Sequence, residues 1–266
     1  MRQPTFFISH GGGPCFFMDW NPPDTWTRLG DSLRALSQQV PERPQAVLAI
    51  SAHWEAPAFA VTTQQRPPLL FDYYGFPEHT YRLTYPAPGD PALAQQVIDR
   101  LGAAGLSAKG DAARGYDHGL FVPFKLIYPE AGVPMVQLSL RADLDPAAHL
   151  ACGRALAPLR DEGVLIVGSG YSYHNLRVFG PAANEAATHF DAWLQDSLCE
   201  RVGAERERRL QEWEHAPAAR QAHPREEHLL PLMVAAAAAG DEPGRCIFSE
   251  PVMGVLTSAF RFGASA

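Results

Sequence analysis

Three short apolar runs in this 266-residue chain each end in a turn of small residues that carries a histidine. The histidines and the runs before them are His10 after 6–8, His53 after 47–50, and His174 after 165–167. Short apolar runs bounded by Gly, Pro or Ser are typical of buried strands. If these strands are parallel, their carboxyl ends share one edge of a sheet, where α/β folds bind ligands. We therefore expect the three imidazoles to lie close together.

The rest of the chain alternates strand and helix patterns. The six expected strands are Thr5–Ser9, 46–51, 59–63, 135–140, 164–168 and 252–258. The five longer helical patterns cover 24–39, 90–104, 146–159, 185–202 and 224–239. This alternation predicts an α/β fold: a central, mostly parallel or mixed sheet flanked by helices. Since no repeat or low-complexity linker divides the chain, we expect a single catalytic domain over residues 1–266.

Charge and cysteine content narrow the functional classes. The net charge of −7, from 22 basic and 29 acidic residues, gives no basic surface for nucleic acid or an anionic membrane. No apolar stretch reaches membrane-spanning length, and the N-terminal apolar run is too short for a secretory signal. The four cysteines are widely spaced, which argues against a disulfide framework or a thiolate zinc site. We expect a cytoplasmic protein.

Two further histidines extend the predicted cluster. His118 lies between two glycines, close before the helical pattern at 121–128. His223 and His228 are five residues apart, so they cannot share one helical face. We place His223 before the helix and His228 within it, pointing at the sheet edge. Glu227 is the rival ligand, because three-ligand metal sites often include a carboxylate.

One histidine after a strand usually has a structural role, but several at one predicted edge favour a shared metal ion, which satisfies buried imidazoles. Common hydrolase and nucleotide-binding motifs do not account for them. The segment from His10 to Gly13 resembles an oxyanion-hole motif, but the chain lacks the G-x-S-x-G turn that such a motif requires. It also lacks H-E-x-x-H, G-x-G-x-x-G and a P-loop.

Five short motifs, in this order along the chain, resemble the class III extradiol ring-cleavage dioxygenases. They are Ser9–His10–Gly11, Ser51–Ala52–His53–Trp54, Tyr116–Asp117–His118–Gly119, Gly168–Ser169–Gly170 leading to His174–Asn175, and Glu227–His228–Leu229–Leu230. Together with the aromatic segment 73–77, they are similar to the DOPA 4,5-dioxygenase branch. Each motif alone is weak, but five in the same order are specific.

The resemblance implies a mononuclear non-heme Fe(II) and O2-dependent cleavage of a catechol ring, such as DOPA or a related catechol. By position, His10, His53 and His228 match the metal ligands. His174 matches the base, close enough to be a fourth ligand, and His118 matches a proton donor to substrate or oxygen. A third ligand that is His, where another branch has Glu, leaves the site neutral, so we expect Zn(II) to be able to occupy it in purified protein.

The aromatic loop is the expected substrate-binding segment. Its residues Tyr73, Tyr74 and Phe76 would stack on the ring or cover it. Ordinary packing of these side chains is the alternative. Four arginines could each hold a substrate carboxylate or could simply be surface charge: Arg82, Arg114, Arg177 and Arg225.

Two alternatives use the same histidines. A zinc-dependent hydrolase would use a zinc-bound water and would need no O2. A non-catalytic metal-binding protein would close the site with four ligands. The sequence does not name the natural catechol, and it leaves open whether the chain forms a homo-oligomer.

Overall fold

The computed structural model describes residues 1–263, and its centre is one sheet of eight strands. The strands are β1 (Thr5–Ser9), β2 (Ala46–Ala56), β3 (Phe59–Thr62), β4 (Ala108–Asp111), β5 (Met135–Arg141), β6 (Val164–Gly170), β7 (Gly244–Val252) and β8 (Val255–Phe262). Their order across the sheet is β4-β3-β5-β2-β6-β1-β8-β7. The expected α/β fold is therefore confirmed, with the sheet mixed rather than wholly parallel.

Eight α-helices flank this sheet within the described part of the chain. They are α1 (Thr27–Leu36), α2 (Pro91–Ala103), α3 (His118–Ile127), α4 (Pro146–Leu156), α5 (Asn184–Cys199), α6 (Gly203–Gln211), α7 (Ala219–Ala222) and α8 (Leu230–Ala238). Asp90 and Asp145 cap α2 and α4 by accepting backbone hydrogen bonds, and each helix opens with proline. Among residues 1–263, no helix combines the length and apolar character needed to cross a membrane.

The sheet centre is parallel, and this places the candidate site. β6 pairs in parallel with β1 on one side and with β2 on the other, while β2 pairs in parallel with β5. The antiparallel hairpin of β7 and β8 extends the sheet beyond β1. The carboxyl ends of β1, β6 and β2 are therefore neighbours at one sheet edge.

Alternate residues of the central strands pack into two separate cores. In β2, Leu48 and Ile50 join the core on one face, whereas Val47 and Ala49 join the core on the other. This alternation follows from the two-residue repeat of a strand. Because helices cover both faces, the central strands are apolar throughout rather than alternately polar.

Several local expectations were wrong. The expected strand 252–258 runs across the turn between β7 and β8. His53 lies inside β2 rather than after it, next to a shift in the β2–β5 register between Ile50 and Glu55. Such irregularities redirect side chains and often occur beside active sites. His228 lies in a turn before α8, which begins only at Leu230. The short strand β4 and most of β7 carried no recognised strand pattern.

Candidate metal centre

Five imidazoles meet at the carboxyl edge of the central strands. They belong to His10, His53, His118, His174 and His228, and the ring centroids of neighbouring pairs lie between 3.4 and 5.5 Å apart. The Nε2 atoms of His10 and His53 are 3.0 Å apart. In the group formed by His10, His53 and His228, one nitrogen from each ring lies within 4.8 Å of the others.

Close backbone contacts bring His228 to this edge. The carbonyl of His228 accepts a hydrogen bond from the amide of Tyr171 at 3.0 Å, just after β6. A Cβ atom at Gly170 would lie 2.1 Å from that carbonyl oxygen, and one at Gly168 would lie 2.2 Å from the carbonyl of Pro231. Only glycine permits this approach, so the glycines of β6 allow the turn with His228 to rest on the strand.

A hydroxyl fixes the orientation of His10. The Ser169 hydroxyl donates to the carbonyl of Gly119, so its oxygen accepts from Nδ1 of His10 at 3.0 Å. Nδ1 of His10 is then protonated, and Nε2 carries the free lone pair that faces His53. Such partners of the distal nitrogen set the tautomer of metal-binding histidines.

Two carboxylates orient the other rings. Asp72 accepts from Nδ1 of His118 at 2.8 Å. One oxygen of Glu227 accepts from Nδ1 of His228 at 2.8 Å and from Nδ1 of His174 at 3.1 Å. Burial raises the pKa of Glu227, but the hydrogen bond from His174 and other interactions lower it overall, so the carboxylate is charged. Glu227 therefore holds the Nδ1 side of both rings, and this position fits an orienting partner better than the rival ligand.

A buried network supports His53 from behind. The backbone amide of His53 donates to Ser51, whose hydroxyl donates to Asp117 at 2.7 Å. Arg114 donates to the carbonyl of His53 and to Asp117, both at 3.1 Å. Gln137 also donates to Asp117. These bonds fix the backbone of β2 at the irregularity that carries His53.

The cluster favours uncharged imidazoles. Burial, and then the neighbouring imidazoles, hold the pKa of His10 and of His228 well below the usual value. Burial and the nearby His118 lower the pKa of His53 to about 3. A neutral imidazole is the form that binds a metal ion.

The donor set fits a metal ion. Two imidazole nitrogens at roughly 2.1 Å from one ion subtend about 90° when they are 3.0 Å apart, which suits adjacent positions around an ion with open sites. Facing nitrogens at this distance need either a shared proton or a cation. His10, His53 and His228 are therefore suited to hold a metal.

The imidazoles line one wall of a cavity of about 470 Å³. Sites for small molecules usually measure roughly 300–1,000 Å³. The other lining residues are glycines and aromatic and aliphatic side chains, including Trp20, Trp26, Phe76 and Phe179. A planar aromatic molecule could enter and contact the imidazoles directly.

Comparisons with known proteins agree with this arrangement. Residues 4–260 match the family described as the catalytic LigB subunit of aromatic ring-opening dioxygenase. The chain is 41% identical to the 4,5-DOPA dioxygenase extradiol of Beta vulgaris, over 90% of this chain and 88% of that protein. It is 35% identical to the dioxygenase tasH of Hapsidospora irregularis, over 98% and 86% of the two chains. The chain belongs to the LigB family.

A structural comparison gives the same fold. The crystal structure of an uncharacterized Escherichia coli K12 protein superposes with a TM-score of 0.79 at 32% identity, covering 99% of this chain and all of that one. Together, the family and its relatives identify a ring-cleaving dioxygenase, an oxidoreductase of the extradiol type. Members of this family depend on a metal, and the histidine cluster supplies suitable ligands.

The aromatic loop of this dioxygenase contributes less to the cavity than expected. Phe76 lines the cavity, packed against Gly13, where a Cβ atom would lie 2.9 Å from its ring. Tyr73 is buried behind it, with its hydroxyl donating to the carbonyl of Thr80 and its ring 5.9 Å from that of His118. Tyr74 is 91% exposed and does not line the cavity, so its assignment to substrate binding is not supported by its position.

Several residues of the dioxygenase site were missed from sequence. Asp72 directly precedes Tyr73, and a lone acid in an aromatic loop was the signal for it. Tyr171 and Tyr173 also line the cavity, beside the already recognised His174. Trp20 and Trp26 belong to an N-terminal segment that carried no functional pattern.

Proposed function

We propose that this dioxygenase cleaves a catechol-type ring next to its two hydroxyls, using O2 and an Fe(II) ion held by His10, His53 and His228. The observation that carries the proposal is the convergence of five imidazoles on one wall of an otherwise apolar cavity. When bound, an Fe(II) ion with open positions would be chelated by both catechol oxygens and would pass electrons between the ring and O2.

His174 is the proposed general base for the catechol hydroxyl. Its ring stacks on that of His228 with centroids 3.4 Å apart, and its Nδ1 hydrogen bonds to Glu227. That bond leaves Nε2 as the basic atom, and His174 lines the cavity. The imidazolium formed on proton transfer would be stabilised by the Glu227 carboxylate.

His118 is the proposed proton donor during ring opening. Its ring lies 3.9 Å from that of His53 between centroids, and its Nδ1 faces Asp72. Burial raises the pKa of Asp72, but the hydrogen bonds from His118 and the nearby imidazoles of His118 and His53 together lower it overall, so this carboxylate is charged. An imidazolium at His118 would therefore have a counter-charge.

Phe76, which also lines the cavity, would exclude water from the ring.

The neutral ligand set also accepts Zn(II), so we expect zinc in some purified samples. A zinc-dependent hydrolase using the same histidines has no support from the relatives, which are named dioxygenases. A location in the cytoplasm and assembly into a homo-oligomer stay predictions.

The test is reconstitution with Fe(II) without air, followed by a panel of catechols that includes DOPA, and then O2. A yellow ring-opened product with matching O2 uptake, absent from a Zn(II)-loaded control, is the expected result. No O2 uptake with any catechol of the panel, in protein shown to hold Fe(II), would contradict the proposal. Metal content measured on the same samples separates failed loading from failed chemistry.

A further inference from the structure

The cavity lining carries no formal counter-charge for a charged substrate. Within residues 1–263, no Lys, Arg, Asp or Glu lines it. Apart from the imidazoles, the side chains that line it carry only neutral polar groups, the hydroxyls of its tyrosines and the indoles of its tryptophans. A carboxylate or ammonium held there would lose part of its hydration without gaining an ion pair, which is unfavourable.

The arginines considered as partners for a substrate carboxylate do not line the cavity. Arg82 pairs with Glu78. Arg225 makes two hydrogen bonds to the carboxylate of Glu55, at 2.5 and 2.6 Å. Arg114 donates hydrogen bonds to Asp117 and to the backbone carbonyl of His53. Arg177 is exposed and is not among the residues that line the cavity.

The two acids near the site already accept hydrogen bonds from histidines. Asp72 accepts hydrogen bonds from the amide and ring of His118. Glu227 accepts from the rings of His174 and His228. Neither carboxylate lines the cavity, so neither is placed to pair with the ammonium group of an amino-acid side chain.

The cavity is also larger than a bare catechol requires. A dry cavity of roughly 150 Å³ holds benzene, whereas this one measures about 470 Å³. The surplus is bordered by apolar groups: Trp20, Trp26, Phe179, and the exposed Leu176 and Met253 at 74% and 43%. Gly12 adds to the space, because a Cβ atom there would just reach the ring of Trp26, at 3.6 Å.

We propose that the catechol cleaved by this enzyme carries an uncharged, apolar substituent, which lies between Trp20, Trp26 and Phe179. This inference rests on the proposed catechol cleavage and names its substrate class. It predicts selectivity against catechols whose side chain ends in a carboxylate or an ammonium group, DOPA among them.

A matched substrate series tests the proposal on the Fe(II)-loaded protein. Across 4-methyl-, 4-ethyl- and 4-propylcatechol, kcat/KM should rise about fourfold for each added methylene. 4-(3-Methylbutyl)catechol should exceed 3-(3,4-dihydroxyphenyl)propionate, which has a similar shape, by at least about tenfold. Equal or better turnover of the propionate, or of DOPA, would overturn the proposal.

Leu176→Arg adds a cation at the cavity wall, and the high exposure of Leu176 keeps this change away from the core. It should favour the propionate over the alkyl catechol by about tenfold relative to wild type. Val178→Arg is the matched control, since Val178 is 45% exposed but does not line the cavity. Equal selectivity in the two variants would count against the proposed location.

Binding separates this proposal from the proposed function. Tryptophan fluorescence quenching without O2 gives Kd for the same compounds, with Trp20 and Trp26 as reporters. If no catechol is turned over, tighter binding of the alkyl series still supports an apolar site, and tighter binding of the propionate overturns it. A preference for the propionate that disappears in Arg177→Ala would assign carboxylate binding to Arg177 and also overturn it.

Discussion

His149 and His10 are both buried, but their ring nitrogens meet different partners. In His149, Nδ1 donates to the carbonyl of Asp145 at 2.7 Å, and Nε2 accepts from the amide of Arg141 at 3.2 Å. In His10, Nδ1 donates to the hydroxyl of Ser169, and Nε2 faces the ring of His53. One imidazole is completed by backbone groups, and the other is left open towards a neighbouring imidazole.

The difference separates a structural histidine from a candidate ligand. Burial lowers the pKa of both side chains, so a lowered pKa alone does not mark a functional site. The lone pair of His149 is used inside the protein, whereas that of His10 is available to an ion.

The largest effect is expected from His53→Ala. Removing this imidazole leaves two of the three proposed ligands, so we expect Fe(II) affinity to fall by more than about 100-fold and turnover to be lost. Metal content after dialysis and O2 uptake with a catechol measure both effects. His149→Ala is the control, and it should lower stability while leaving metal binding intact. Wild-type turnover by His53→Ala would refute the ligand assignment.

The sequence predicts the position of each proposed ligand only as well as it predicts the element that carries it. β1 matches its expected bounds, and His10 follows directly from them. His53 lies within β2 because the strand continues through a register shift, which no apolar periodicity records. His228 lies in a turn whose position depends on glycines in β6, far away in the chain.

Loop residues were harder to predict for the same reason. Asp72 and Tyr74 are two positions apart in one segment, yet one orients His118 and the other is exposed to solvent. Without a regular repeat, side-chain direction in such a segment depends on tertiary contacts. Trp20 and Trp26 also line the cavity from irregular chain, with Trp26 in the turn directly before α1.

His174→Ala tests whether the fifth imidazole acts on the proton or on the metal. As a general base, His174 should contribute about 10²- to 10⁴-fold to kcat, with Fe(II) content unchanged. Single-turnover kinetics under O2, with metal analysis of the same sample, measure the two quantities. If the metal is lost together with the rate, His174 is a fourth ligand instead.

Glu227→Gln and Asp72→Asn separate the two orienting carboxylates. Glu227 contacts the ring of the proposed ligand His228, so its loss should weaken Fe(II) binding by about 10- to 100-fold. Asp72 hydrogen bonds to His118, outside the proposed ligand set, and its other oxygen lies 3.9 Å from Nδ1 of the proposed ligand His53. Asp72→Asn should therefore lower kcat and weaken Fe(II) binding less than Glu227→Gln does. Competition with a chelator of known affinity gives both constants. Equal losses of Fe(II) affinity in the two variants would contradict this separation of roles.

The smallest effect concerns His149 and the pH dependence of stability. Its pKa in the folded protein is lowered by burial, below the value of about 6.5 in the unfolded chain. The unfolded state therefore binds the proton first as pH falls, so the contribution of neutral His149 is complete above about pH 6.5 and is lost below it. Each pH unit in that range costs up to about 1.4 kcal/mol.

Urea unfolding of the metal-loaded protein between pH 7.5 and 5, compared with His149→Gln, isolates this contribution. The variant should be less stable at pH 7.5, because the substitution disturbs the two hydrogen bonds of the His149 ring. It should lose stability less steeply below pH 6.5, because glutamine cannot take up a proton. Parallel pH profiles would show that His149 does not titrate on unfolding. The fully hydrogen-bonded histidine would then not be the acid-sensitive one, and the open cluster would carry the pH dependence of folding as well as the metal.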